Sequence, residues 1–171
     1  ENVKLMDSSL IDDATRASLI ADAKFARAWV LFDIVRYWGA APMSLELIPS
    51  ITVDNIDKWY PIMYPERSSE EDIYAQILDD LSEESIANLP SYNRGVFRGS
   101  KGGAYALLAK VYATMGAKAE RNYEKVVEYC EKVRDEGYSL LDDFDQLWTV
   151  SGKFSRESIF EMYFSDAAEQ H

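Results

Sequence analysis

A chain of 171 residues, 47% of them hydrophobic, can bury a core without disulfides, and its single cysteine, Cys130, has no partner within the chain. Thirty acidic residues against eighteen basic ones give a formal charge of −12, which excludes the basic footprint that nucleic acid or an anionic lipid surface demands. No run of about 18 uncharged apolar residues is present, and Glu1 opens the sequence without a charged n-region or apolar h-region, so any targeting segment is expected to lie outside these residues.

In chain order, Ser9 followed by Asp12 makes a capping-box-like start, with Asp12 and Asp13 in the first turn, where carboxylates suit the positive end of a helix. One long helix is expected from there to Trp38, broken near residues 18–22. Its centre is the run Ala23-Lys24-Phe25-Ala26-Arg27-Ala28-Trp29-Val30-Leu31-Phe32-Asp33-Ile34-Val35-Arg36-Tyr37-Trp38-Gly39. Phe25, Ala28, Trp29, Phe32 and Val35 recur at helical spacing, and Val30, Leu31, Ile34 and Trp38 cover much of the remaining circumference. Such a helix is expected to be buried by other helices, with Trp29 and Trp38 in the core. Asp33 lies three residues from Arg36, so these two and Arg27 read as structural ion pairing rather than a polar site. Gly39 stops the helix in the left-handed conformation, and Pro42 keeps the chain from resuming it.

Residues 40–67 hold four of the five prolines, Pro42, Pro49, Pro61 and Pro65, and show no sustained period. A loop of that length usually covers or binds something. Ser68-Ser69-Glu70-Glu71 then opens a second helix whose apolar face is Ile73, Ile77, Leu78, Leu81 and Ile86, ending before Pro90; its outer face is acidic, with Glu83 and Glu84 on it, and the carboxylate pair Asp79-Asp80 reads by default as part of a solvated acidic surface. Residues 91–99 read as a turn-rich connection. Ser100 caps a third helix bearing Tyr105, Leu108, Ala109, Tyr112 and Met115, with Gly116 at its end; Asn122 starts a fourth, with Tyr123, Val126, Val127, Cys130 and Val133 inward and Gly137 just past it. Cys130 is thereby read as a small buried thiol. These two helices are expected to form an antiparallel hairpin. Beyond it come irregularly spaced apolar residues, Tyr138, Leu140, Leu141, Phe144, Leu147 and Trp148, and a short apolar run at 159–164 that reads as strand or buried extended chain.

Tyr105, Leu108, Ala109 and Tyr112 fall on the offsets of the 34-residue tetratricopeptide pattern, in which the small residue, here Ala109, allows close helix approach. A weaker second copy pairs Ala28, Leu31, Phe32, Val35 and Gly39 with residues 70–88 and Pro90. The fold class expected is all-α: tetratricopeptide-like hairpins, a long irregular loop and a short extended C-terminal segment, forming one helical unit over residues 1–171.

The segment Ala23-Lys24-Phe25-Ala26-Arg27-Ala28 with Phe32-Asp33-Ile34-Val35-Arg36-Tyr37-Trp38-Gly39-Ala40-Ala41-Pro42 closely resembles the helix and turn of SusD/RagB-like proteins. Glu71-Asp72-Ile73-Tyr74 with Ile77-Leu78-Asp79-Asp80-Leu81 is similar to their second helix, Lys101-Gly102-Gly103-Ala104-Tyr105-Ala106-Leu107-Leu108-Ala109-Lys110 to their third, and Glu157-Ser158-Ile159-Phe160-Glu161 to the segment after their fourth. Members of that family are usually much longer, so this chain resembles the helical core of a larger protein. The resemblance implies a non-enzymatic, lipid-anchored, surface-exposed outer-membrane component of a glycan-uptake system that holds oligosaccharide or polysaccharide over a TonB-dependent transporter. It implies no cofactor and no metal, and contact with the membrane only through a lipid anchor outside these residues.

Sugar-binding surfaces pair aromatic faces with amide and carboxylate groups. In the long loop, Trp59, Tyr60 and Tyr64 supply rings, with Asn55 and Asp57 nearby; the same rings also suit packing of the loop onto the helices, and burial separates the two readings. Asp142, Asp143 and Asp145 fail the EF-hand register, which leaves calcium only a different geometry. Glu83 with Glu84 and Asp79 with Asp80 diverge as neighbours on a helix, unlike the carboxyl pair that flanks a glycosidic bond in a hydrolase. His171 is the single histidine, so no Ser-His, Cys-His or His-based zinc arrangement arises within the core, and no enzyme is expected. The competing function is a helical-repeat adaptor that binds a protein or peptide on its concave face.

Overall fold

The computed structural model describes residues 2–7, 9–48, 50–92, 98–116 and 121–161, so Pro49, His171 and the run 162–164 lie outside the described residues. Among the described residues 59% are helical and 3% are in strands, as the all-α reading requires. It falls into two compact units, Glu1–Ser82 and Glu83–His171.

In the first unit, α1 (Asn2–Leu5) is followed by α2 (Asp13–Trp38). The cap of α2 is Asp12, whose carboxylate accepts the Thr15 amide at 2.8 Å; the Ser9 amide instead donates to Asp7. No break occurs at 18–22, because that stretch contains neither glycine nor proline and its polar residues are tolerated on an exposed helix face. Gly39 ends the helix at φ 64°, its amide donating to the Val35 carbonyl. Arg67 then closes the end: its guanidinium donates to the carbonyl of Trp38, which a helix terminus leaves without a partner, and to that of Ala40 just past it. The same arginine belongs to β2 (Arg67–Ser68), paired antiparallel with β1 (Ala41–Pro42), so the long loop leaves and returns at one point. Within it lies α3 (Ile56–Met63).

Helix α4 (Glu70–Asp80) starts at a full capping box, Ser69 with Asp72, and runs antiparallel to α2, Glu70 lying beside Gly39 while Asp80 meets Arg27. Phe25, Ala28, Leu31, Phe32 and Val35 of α2 are buried, as are Ile73, Tyr74 and Ile77 of α4. Asp80, read from the sequence as part of a solvated acidic face, is only 1% exposed. Both its oxygens accept from Arg27, at 2.6 and 2.7 Å, and Gln76 adds a third hydrogen bond at 3.1 Å. Asp79, one position on, does face solvent. Arg36 pairs with Asp33 as expected, and its guanidinium lies 4.5 Å from the Phe32 ring centre.

Helix α2 is not sheathed all round. Val30, Tyr37 and Trp38 are exposed, Trp38 by 66%, and Trp29 is half-buried against Phe25, so neither tryptophan is a core residue. Within the unit, α1, α4 and β1 cover one side of α2 only. Apolar composition predicts which residues can be buried, but not that a neighbour exists to bury them.

In the second unit, α5 (Glu83–Ala87) is separate from α4, although the sequence reads as one helix to Pro90. Leu81 leaves the helical region at φ −99°, ψ 27°, and Ser82 with the acidic Glu83 and Glu84 supplies a fresh start. Helices α6 (Lys101–Thr114) and α7 (Tyr123–Asp135) take their predicted caps: Ser100 accepts the Gly103 amide and Asn122 the Lys125 amide, each at 3.0 Å. Gly116 and Gly137 adopt positive φ past the helix ends. The helices are antiparallel, with Tyr105 and Tyr112 of α6 stacked on Tyr129 of α7. That stack sets the rotation of α7. Tyr129 and Val133 face in, whereas Tyr123, Val127 and Cys130 are exposed, which corrects both the predicted inner face and the buried thiol.

A close approach occurs at Gly102, the helix residue on which Tyr138 packs. A Cβ there would stand 2.1 Å from the Tyr138 ring, whose hydroxyl is 3.0 Å from Ser100 Oγ and whose edge meets Tyr92. Two short 3-10 helices follow, Phe144–Trp148 and Val150–Gly152, and residues 159–161 form no strand. Glu157 and Glu161, within the family-like segment, accept the Leu141 and Phe154 amides at 2.8 Å each.

Two outcomes follow for stability. Arg27→Met leaves Asp80 buried without its countercharge, whereas Asp80→Asn leaves Arg27 able to reach water. Urea denaturation is expected to show a loss of about 3 kcal/mol or more for the first and clearly less for the second. Gly102→Ala gains helix propensity yet collides with Tyr138, so a net loss of roughly 1–3 kcal/mol is expected, against a gain if the ring moved freely.

Candidate functional site

The candidate rings lie on and just past α3. Residues 53–55 form a turn that Asn55 ties down: its Oδ1 accepts the Thr52 amide at 2.8 Å, and its Nδ2 donates to the Ser50 carbonyl at 3.1 Å. One lone pair and one amide hydrogen of that side chain remain for another partner. Along α3, Ile56, Tyr60 and the capping Tyr64 follow one another at four-residue spacing, with Trp59 and Met63 on the adjoining flank. None of the eight helical residues is buried. Tyr60 is 57% exposed and Tyr64 65%, their ring centres 4.9 Å apart at an angle of 44°. Trp59 is half-buried, with the Lys58 ammonium 4.8 Å from its ring centre.

The structure therefore pairs Tyr60 with Tyr64 on an exposed surface, leaves Trp59 half-buried beside Lys58, and places Asn55 just ahead of α3. Aromatic faces at this exposure can cover the apolar side of a pyranose while their hydroxyls stay hydrated. Elsewhere in the first unit, a groove of about 370 Å³ runs past α1, Leu19, Ile20 and Arg27 to the strap at residues 44–47. In the second, an open cavity of about 500 Å³ is lined by Arg134, Tyr138, Leu140, Arg156 and Ile159. Neither is lined by the candidate rings.

A second constellation, on the hairpin, is not singled out as a site by the sequence, although the Tyr105 to Tyr112 spacing of two helical turns signals it. Lys132 lies 5.2 and 5.0 Å from the Tyr105 and Tyr129 ring centres and pairs with Glu83 at 2.6 Å; Lys125 pairs with Glu128 at 2.7 Å. Burial pushes the Tyr105 and Tyr129 hydroxyls above the usual tyrosine value. The Glu83 hydrogen bond raises Lys132, and the Lys125 hydrogen bond lowers Glu128.

Asp143 does not join Asp142 and Asp145 as a ligand set; its carboxylate accepts the Asp145 amide at 3.0 Å. Among the described residues no three of His, Cys, Asp and Glu converge as metal ligands, and no helix is long and apolar enough to cross a membrane.

A family profile described as starch-binding and associating with the outer membrane matches residues 3–113. The chain belongs to this SusD-like family. It is 24% identical over 174 residues to a SusD-like protein of Bacteroides ovatus, covering 98% of this chain and 30% of that one. It is 25% identical over 159 residues to the SusD-like protein P25 of Formosa agariphila, covering 91% and 27%. The solved structure of a SusD superfamily protein from Bacteroides fragilis superposes with a TM-score of 0.72 at 22% identity, over 96% of this chain and 33% of that one. This SusD-like chain thus spans a third or less of the length of these relatives, and the structural likeness establishes its fold.

The charge network on the hairpin gives a signed expectation. Glu128 has a lowered pKa, so its contribution is present above its unfolded value of 4.5 and is lost as pH falls through the lower folded value. Lys125 and Lys132 are raised from 10.5, so theirs persists below that value and is lost as pH rises through the folded one. Thermal melts followed by circular dichroism are expected to lose a share of the acid-side decline in Glu128→Gln, with its alkaline limb retained through Lys132 and Glu83.

Proposed function

We propose that this SusD-like chain is a glycan-binding, non-enzymatic part of an outer-membrane uptake complex. Trp59, Tyr60 and Tyr64 stack on sugar rings, and Asn55 orders the approach and offers its remaining amide hydrogen to a hydroxyl. In this reading both helical units belong to one domain of a longer, lipid-anchored, surface-exposed protein that passes oligosaccharide to a TonB-dependent transporter.

The observation that carries the reading is the exposed aromatic face of α3 in a chain whose family is described as starch-binding. A helix held at both ends of its loop, with the Tyr60 and Tyr64 rings open and Trp59 half-buried, supplies the apolar half of a sugar site. The site has no need of a nucleophile or a paired acid and base. The adaptor reading draws on the hairpin, where tetratricopeptide offsets and the tyrosine stack coincide on Tyr105 and Tyr112.

Calorimetric titration of the complete protein, first with starch oligosaccharide and then with a wider glycan panel, decides between them. Trp59→Ala, Tyr60→Ala and Tyr64→Ala are each expected to weaken binding by about tenfold, or ~1.4 kcal/mol, with the melting temperature held. Unchanged affinity in folded variants would remove these rings from the site. Peptide capture without any saccharide binding favours the adaptor.

A further inference from the structure

Helix α3 presents the tyrosine pair, yet none of its eight residues is buried, so packing on a core does not fix where it stands. It is also short, and Pro61 within it gives up a backbone hydrogen bond, so it draws little rigidity from its own ladder. Its place is set by where its loop is anchored.

The anchorage is narrow. Strands β1 and β2 pair only Ala41 with Ser68 and Pro42 with Arg67, and Pro42 has no amide hydrogen to give. The Arg67 side chain supplies the donors that so short a ladder lacks. Its Nε donates to the Ala40 carbonyl at 2.8 Å, and its Nη2 donates to the same oxygen and reaches the Trp38 carbonyl at 3.4 Å. These carbonyls stand at and just past the end of α2, a helix that the Arg27 and Asp80 pair holds to α4. On the loop side only Pro65 and Glu66 separate Arg67 from Tyr64, and the fixed φ of Pro65 makes that link short and stiff. Residues 43–66 otherwise close a long loop on two paired residues, against an entropy that rises with loop length. Arg67 is itself exposed, so it does this without filling core volume.

The geometry points to Arg67 as the positioning residue of the α3 sugar platform: without touching the glycan, its guanidinium fork fixes the base from which Tyr60 and Tyr64 are presented, and affinity depends on it. This inference rests on the glycan-binding reading proposed above.

Two measurements on the complete protein test it, with Arg67→Gln and Arg67→Lys beside Tyr60→Ala. The first, amide hydrogen exchange, needs no ligand. In Arg67→Gln the amides of residues 56–60 and 62–64 are expected to exchange about fivefold faster, with those of α2 and α4 and the melting temperature unchanged, since an anchor is lost and no core contact is. Unchanged exchange there overturns the inference, as does faster exchange throughout the chain with a lower melting temperature, the mark of a merely structural role. The second is calorimetric titration with maltoheptaose. Arg67→Gln is expected to bind about fivefold more weakly than the wild type, because a platform that must be ordered on binding loses affinity. Arg67→Lys is expected to recover about half of that loss on a logarithmic scale, since an ammonium is a point donor where the guanidinium is a fork. Full affinity in Arg67→Lys assigns the effect to charge, and full affinity in Arg67→Gln beside a weakened Tyr60→Ala leaves the platform standing without its anchor; either overturns the inference while the glycan reading survives. Absence of binding to the wild type, or equal binding to Tyr60→Ala, overturns the glycan reading and the role of Arg67 with it.

Discussion

The first unit is organised by a charge placed where charge is expensive. Asp80 is buried, and the energy of leaving a carboxylate there without a partner is large, so α4 can dock on α2 only in the register that delivers the Arg27 fork to it. Hydrophobic contact between Phe25, Phe32, Ile73 and Ile77 supplies the stability but tolerates sliding by a turn. The ion pair does not. Once that register is set, Glu70 falls beside Gly39 and Arg67 falls where the last carbonyls of α2 point. The loop that bears α3 is then pinned at both ends by a two-residue ladder, and its tyrosines are displayed from a fixed base rather than from a free excursion.

Packing in the second unit is governed by the volume at one glycine. The Tyr138 ring occupies the place of a side chain at position 102, and its hydroxyl shares a hydrogen bond with the residue that caps α6. Start of helix, end of hairpin and ring position are therefore one constraint. At the other side of α6 the three stacked tyrosines fix the rotation of α7, and lysines over the ring faces with glutamates beyond them keep the stack partly open to solvent.

Much of this was legible in the sequence, because local chemistry decided it. Ser69, Ser100 and Asn122 cap where their side chains can reach a backbone amide three residues on, and Gly39, Gly116 and Gly137 end helices by a conformation other residues resist. The excursion at 40–67 was legible too, since a prolonged break in periodicity marks it, whereas the short helix inside it was not. What escaped were facts about partners distant in sequence. Asp79 and Asp80 are identical letters with opposite fates, separated by 100° of helix rotation and by the position of Arg27. Cys130 and Tyr129 are adjacent, and only the tyrosines of α6 determine which turns inward. Trp38 sits in a strongly apolar run and is exposed, because burial needs a second surface that the run itself does not encode.

Exposed aromatic residues of the two units consequently carry different meanings. On and just past α3 the most open aromatic side chains are Tyr60 and Tyr64, each with a hydroxyl that stays satisfied by water while its ring is offered, and the neighbouring loop supplies an amide with capacity to spare. At residues 140–150 the most open ones are a valine and a leucine on a backbone braced by carboxylates and a hydroxyl. A surface of the first kind is stable while waiting for a hydrated ligand that comes and goes. One of the second kind offers water no polar atom and stays costly for as long as it is exposed.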